Sequence, residues 1–302
     1  MRQNGRGKPN AISAVRILFA CLCLIFLPAA HAGTNIASDK PHAWSANSGW
    51  INLRGDITNG VLVGDSFLSG HAWSGNAGWI QFGDGTPANL HTYSNASAAD
   101  FGVNHDGAGN LSGLAYGANI GWINFGWASA NDPNRPRFSL ITGDFSGYAW
   151  SANTGWIDLG TGNLRAESVL YADADGDGIS DAWEQQQFGN TSSASVTSDA
   201  DGDGVSDKNE FLGGSDPHDV SSYLRIVSYR EMPGLVQSQI EFTTKPTRLY
   251  RLEWSTDLVS WAVVPALGTF TPSAGATTTK LVTHPAEERR FFKAVAIVPL
   301  TP

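Results

Sequence analysis

The sequence predicts a mainly β protein in three parts: a repeat β-meander domain, a two-loop connector with short helices, and a C-terminal β-sandwich. Three observations carry this. A thirteen-residue unit rich in Trp, Asn and Gly occurs four times, an acidic twelve-residue pattern occurs twice, and six alternating apolar runs follow. With 11 Trp and 34 Gly against only 16% charged residues, the chain favours pleated structure joined by tight turns.

The first segment, 1–32, reads as a signal peptide. Arg2, Arg6, Lys8 and Arg16 make a basic start, residues 17–27 are apolar, and Ala30-His31-Ala32 ahead of Gly33 fits a cleavage site. The apolar run falls short of the roughly 20 residues that span a bilayer, so a retained anchor is the weaker reading, and a lipid-attachment site at Cys21 fits its flanks poorly. Both cysteines, Cys21 and Cys23, lie in this leader, so no disulfide is available to the exported chain. The net charge is −9, and the leader carries four basic residues and no acid, which leaves −13 on the mature chain. That charge disfavours nucleic acid and anionic membrane as partners.

The repeat domain is assigned to 33–170. Segments 42–54 (HAWSANSGWINLR), 71–83 (HAWSGNAGWIQFG), 114–126 (LAYGANIGWINFG) and 148–160 (YAWSANTGWIDLG) are one unit, and loops absorb the uneven spacing. Each reads as strand, tight turn, strand. Asn47, Asn76, Asn119 and Asn153 sit in the turn with Gly49, Gly78, Gly121 and Gly155 two places on, residue types that tolerate positive φ. A third strand precedes most units, at 60–63, 101–105 and 138–141, and leads through a turn to an x-Ser-Gly step at 68–70, 111–113 and 145–147. Unit one lacks this leading strand, whereas 164–170 follows unit four with no hairpin behind it. Pairing of 164–170 back onto unit one would close a ring; an open stack of units explains the same repeats.

Alternation places Leu68, Gly70, Ala72, Ile80 and Phe82 on one face of the second unit, and Ser69, His71, Trp73, Trp79 and Gln81 on the other. The expected cross-strand aromatic pairs are Trp44 with Trp50, Trp73 with Trp79, Tyr116 with Trp122 and Trp150 with Trp156. Rings of this size are usually buried, so the favoured expectation is packing against the neighbouring unit. The sharper alternative is an aromatic face that stacks on an extracellular glycan or cell-surface polymer. The unit resembles G-Y-A-W-S-x-N-x-G-W-I-x-F repeats of bacterial cell-surface proteins.

The connector is assigned to 171–221. Residues 173–184 (DADGDGISDAWE) place carboxylates at loop positions 1, 3, 5, 9 and 12 with Gly178 at position 6, and 199–210 (DADGDGVSDKNE) repeat the pattern with Gly204. Calcium takes six to eight oxygens at about 2.3–2.6 Å, and a loop wrapping one ion turns alternate side chains inward. One ion is therefore expected on Asp173, Asp175, Asp177, the Ile179 carbonyl, Asp181 (directly or through water) and Glu184. The second is expected on Asp199, Asp201, Asp203, the Val205 carbonyl, Asp207 and Glu210. Five carboxylates per loop repel one another, so calcium is expected to order the segment.

These D-x-D-G-D-G-x-S-D runs, with helix-forming segments 182–188 and 208–212 behind them and Gly213-Gly-Ser-Asp-Pro217 beyond, resemble thrombospondin type 3 and dockerin-like (EF-hand-like) calcium repeats. A sensor EF-hand needs a helix ahead of each loop and an apolar groove to expose, and neither is evident. The resemblance implies structural calcium, with affinity of about 10⁻⁴–10⁻³ M as in extracellular modules.

The sandwich is assigned to 222–302, from strands at 224–229, 237–244, 249–255, 261–264, 277–283 and 291–297. Segments 250–261 and 290–296 resemble a C-terminal domain of secreted bacterial proteins that carry such repeats. No enzyme is expected. Gly64-Asp65-Ser66-Phe67 looks like the start of a GDS-type esterase, but the repeat register makes it a turn, and no D-x-x-H segment supplies a base. The histidines show no zinc spacing. The expected function is a secreted, extracellular or periplasmic, calcium-binding structural or adhesion protein with possible glycan contact at the Trp hairpins. The alternative is an extracellular polysaccharide-acting hydrolase with calcium-stabilised modules, since glycosidase carboxylates leave no local signature.

Overall fold

The computed structural model describes residues 33–55, 58–129, 131–232, 236–284 and 290–301. The signal-peptide assignment, 1–32, lies outside them.

The four thirteen-residue units are four antiparallel hairpins: β1 (Ile36–Ser45) with β2 (Gly49–Asn52), β4 (Phe67–Ser74) with β5 (Gly78–Gly83), β7 (Leu111–Gly117) with β8 (Gly121–Asn124), and β11 (Tyr148–Ser151) with β12 (Gly155–Asp158). Each hairpin pairs with the next, and β12 returns to β1 with Trp44 opposite Asp158 and Ser45 opposite Ile157. These eight strands therefore close a barrel. The short leading strands are β3 (Leu62–Val63), β6 (Val103–His105) and β9 (Arg137–Phe138), the last pairing with β10 (Phe145–Ser146). The missing fourth is β13 (Leu164–Ala166), which pairs with β1 through Ile36 opposite Ala166 and Pro41 opposite Leu164. The ring closes through two seams, β12 and β13, both on the first strand of unit one.

The interior explains the closure. Within each hairpin an Ala faces an Ile across the ladder: Ala43 and Ile51, Ala72 and Ile80, Ala115 and Ile123, Ala149 and Ile157. All eight side chains are buried and belong to one core. Four small and four large residues in one layer suit a barrel of eight strands, whose interior is just wide enough to be filled by side chains. Leu53, Phe82, Phe125 and Leu159 form the next layer, and Val63, Leu68, Val103, Leu111, Phe138 and Leu164 carry the core down to the leading strands.

No room is left inside for indole rings, and they stand outside. The expected cross-strand pairs form in register, with centroids 5.0, 4.9, 4.8 and 4.7 Å apart in chain order. Each pair is worth about 0.5–1 kcal/mol beyond area burial. Packing against a neighbouring unit, the favoured expectation, is not what the fold does: the eight rings are 38–50% exposed, from Tyr116 and Trp150 at the low end to Trp50.

The turns also differ from expectation in one respect. The four turn glycines take φ of 70–75° as expected, but the asparagines are not left-handed. Their amides tie the turns together: Asn47 donates to the Thr154 carbonyl (3.0 Å), Asn76 to Ser48 (3.4 Å), Asn119 to Ala77 (3.2 Å) and Asn153 to Ile120 (3.0 Å). Each acceptor is the residue after the Asn of the neighbouring turn, so the four bonds run once around the rim.

The C-terminal segment forms all six expected strands: β14 (Ile226–Met232), β15 (Gln237–Thr243), β16 (Leu249–Ser255), β17 (Ala262–Val263), β18 (Thr277–Thr283) and β19 (Phe291–Ile297). They make two three-stranded sheets, β14-β15-β18 and β17-β16-β19. Ile240, Phe242 and Val282 of one and Tyr250 and Leu252 of the other share a single core.

Candidate metal centres

Between barrel and sheets lie two acidic loops, each followed by one short helix. α1 (Asp181–Phe188) is capped at its start by Ser180 and stops at Gly189, and α2 (Asp207–Gly213) is capped by Ser206 and stops at Gly214. Both stop glycines are left-handed, where a side chain would be strained. The caps set the register: Glu184 and Glu210 fall in the first helical turn and point back over their own loops.

The loops wind as their sequence requires. Asp173 accepts from the Gly176 and Gly178 amides at 2.7 and 2.9 Å, and Asp199 accepts from Gly202 and Gly204 at 2.8 and 3.0 Å. Gly178 and Gly204 take φ of 83° and 92° at the sharp turn. These bonds use both oxygens of Asp173 and of Asp199 and draw the carboxylates of each loop together. Ligand atoms of Asp173, Asp175 and Asp177 lie within 4.8 Å of one another, as do those of Asp199, Asp201 and Asp203. Asp181 and Asp207 each spend one oxygen on the loop backbone, accepting from Ala174 at 2.9 Å and Ala200 at 3.0 Å.

The side chains fit a cation. Glu184 and Glu210 are fully buried, and Asp177 Oδ2, Glu184 Oε2, Asp201 Oδ2, Asp203 Oδ2 and both Glu210 oxygens are buried without a hydrogen bond. A buried carboxylate oxygen without a donor is costly unless a metal or proton meets it. Burial, reinforced by the neighbouring aspartates, pushes both glutamates up to about 7. A calcium ion held by these glutamates would have to displace that proton. Its affinity is therefore expected to be constant above about pH 8 and to fall as pH drops through 7, by up to about tenfold per unit and site. The metal-free fold runs the other way, losing stability as pH rises from the ordinary glutamate value of 4.5 towards 7. Calcium titrations at pH 6, 7 and 8 would check the first statement, and a flat profile would contradict it.

Both loops are anchored. Lys208 donates to the Asp177 carbonyl at 2.6 Å, linking α2 to the first loop. Ser180 donates to the carboxylate of Asp65, in the β3–β4 turn of the barrel. On the other side Arg248 donates to the Phe211, Leu212 and Thr247 carbonyls and so closes the end of α2. Ile179, Ala194, Phe211 and Val298 form a small core beneath, with Tyr171, Trp183 and Phe188 against it. Sequence reasoning missed Asp65 and Arg248, since nothing local marks either.

Ser66, the GDS-like serine, lies in the turn where Gly64 donates to the Phe67 carbonyl at 2.8 Å, and its hydroxyl meets no base. Residues 173–189 and 199–220 match the family model of the bacterial TSP3 repeat, a calcium-binding extracellular repeat. No curated protein matches the chain, and no solved structure does.

Proposed function

We propose that the chain is exported, binds two calcium ions as a structural brace, and uses the outer face of its barrel to hold an extracellular glycan. Asp173, Asp175, Asp177, the Ile179 carbonyl, Asp181 and Glu184 are the ligands of the first ion. Asp199, Asp201, Asp203, the Val205 carbonyl, Asp207 and Glu210 are those of the second. The ions fix the two loops, which Lys208 ties to each other and Ser180 ties to Asp65 of the barrel.

The observation that carries the binding role is the belt of eight aromatic rings, half exposed on a barrel whose interior is already filled. Exposing this much aromatic surface in one band marks an interaction site. The rings are interleaved with hydrogen-bonding groups at the same level, His42, Asn52, His71, Gln81, Asn124 and Asp158. Flat apolar faces beside amide, imidazole and carboxylate groups suit a sugar ring, which is apolar on its faces and polar at its edge. Successive pairs are two strands apart, about 10 Å along the belt, so a polymer can engage more than one.

Titration of tryptophan fluorescence with soluble cell-wall and plant polysaccharides tests this. The expected result is a saturable change whose apparent affinity rises with chain length and drops at least about tenfold in Trp73→Ala/Trp79→Ala. No change with any polysaccharide would contradict the reading.

A further inference from the structure

Among the described residues, most buried side-chain atoms without a hydrogen bond gather in two places. Six belong to the acidic loops, where a cation accounts for them. Three more, Ser66 Oγ, His91 Nδ1 and His105 Nδ1, belong to residues that line one cavity of about 410 Å³. We infer that this cavity is a binding site for a single uncharged sugar ring, a pyranose, separate from the aromatic belt.

The cavity sits where three parts of the chain meet. The barrel supplies Asp65, Ser66, His91 and His105, the connector supplies Trp183, Gln187 and Phe211, and the segment ahead of β16 supplies Thr247 and Arg248. Junctions of this kind are where small-molecule sites form, and the volume lies at the lower end of their range, with room for one ring and bridging water.

Ser66 is 2% exposed and His105 5%, and they lie side by side just before β4 and at the end of β6, the His105 backbone amide donating to the Ser66 carbonyl at 2.8 Å. The Gly109 amide donates to His105 Nε2 at 3.0 Å, so the ring proton sits on Nδ1. Burial keeps this imidazole neutral, well below its ordinary range, although the Asp106 charge and then the Gly64 and Asp65 carbonyls favour the charged form. The wall thus offers at Ser66 a group that both donates and accepts, beside a neutral imidazole whose Nδ1 proton faces the Gly64 and Asp65 carbonyls, and an unpartnered hydroxyl of this kind suits a hydroxyl-rich ligand.

The charges around the cavity select against an ion. Asp65 is engaged by Ser180, and Arg248 spends its guanidinium on three backbone carbonyls. An anion would meet Asp65 and Asp106 on the same wall, and a cation would meet Arg248. A neutral ligand avoids both. The ring of Trp183, half-buried and set edge-on to Phe211 at 5.6 Å, gives the apolar wall on which the face of a sugar can rest.

The test is saturation-transfer NMR and calorimetry on the calcium-loaded chain with D-glucose, D-galactose, D-mannose and N-acetylglucosamine in turn. At least one is expected to bind with a Kd of about 1 mM, the scale for a ligand of this size. Ser66→Ala is expected to weaken it at least tenfold without lowering the melting temperature, because the hydroxyl has no internal partner to lose. Gln187→Ala, on the connector wall, gives the same loss and stands in should Ser66→Ala fold poorly. No binding of any of the four at about 50 mM overturns the proposal. Binding undiminished in both variants also overturns it, since the ring then sits elsewhere, as on the belt.

Discussion

Replacing Gly70, Gly113 or Gly147 by valine is expected to prevent the barrel from closing. These are the glycines of the x-Ser-Gly steps, where the strand crosses from the leading tier to the hairpin tier. The ladder shifts register between Gly70 and His71, the mark of a β-bulge. All three residues take φ of 80–85°. A Cβ would stand 2.2 Å from the Gly60 carbonyl oxygen at Gly70, 2.3 Å from Gly102 at Gly113 and 2.1 Å from Arg135 at Gly147. Those oxygens are backbone and cannot swing away. A β-branched residue adds left-handed strain to the clash, so the loss is expected to exceed about 4 kcal/mol. Against a typical total of about 5–15 kcal/mol, the variants should be insoluble or melt at least about 10 °C lower. Gly75→Ala is the control. Gly75 has nothing within 4 Å of its Cβ position, and its counterparts Ala46, Ala118 and Ala152 are already alanine, so its melting curve should move little.

Removing calcium is expected to unfold the connector and leave the barrel standing. The barrel core draws on Ile36 to Val169 with Leu249 of β16 and needs no ion, whereas the connector places only three residues, Ile179, Ala194 and Phe211, in a small core shared with Val298, and carries two loops of like charge. Chelation should therefore expose 171–221 to protease while the coupled-indole circular dichroism of the Trp pairs persists. Glu184→Gln with Glu210→Gln removes the most deeply buried acid of each loop. Calcium affinity is expected to fall by more than about 100-fold in this double variant, since a neutral amide replaces the anion proposed as a ligand in each loop. Protease resistance that is the same with and without chelator would mean that the loops are held by packing alone.

Much of this was legible in the sequence because it is local. A hairpin needs its turn glycine within four residues, and a calcium loop carries its acids and glycine inside twelve, so both write themselves into a short pattern. Ring closure was legible for a different reason: unit one lacked a leading strand and 164–170 had no hairpin to lead. The position of the indoles was not legible, because the alternation of Trp73 with Ala72 says which residues share a face and not which face is inside. Only the count of eight strands, with Ala and Ile filling the layer, decides that. The role of Gly70 was hidden likewise, since the atom that forbids a side chain there is the Gly60 oxygen, placed by a bend and not by the neighbouring sequence. The rim bonds of Asn47, Asn76, Asn119 and Asn153 were hidden too, for their acceptors lie in other units. Asp65 and Arg248 hold the connector from opposite ends of the chain, and no spacing links 65, 180 and 248.

The most direct test of the calcium brace is a calorimetric titration of the metal-free protein at pH 8, with native mass spectrometry of the product. Two ions per chain are expected, with release of protons from Glu184 and Glu210 when the titration is repeated at pH 7 and none from either in the double Gln variant. A chain that takes up no calcium at millimolar supply, with connector and barrel equally folded throughout, would contradict the account.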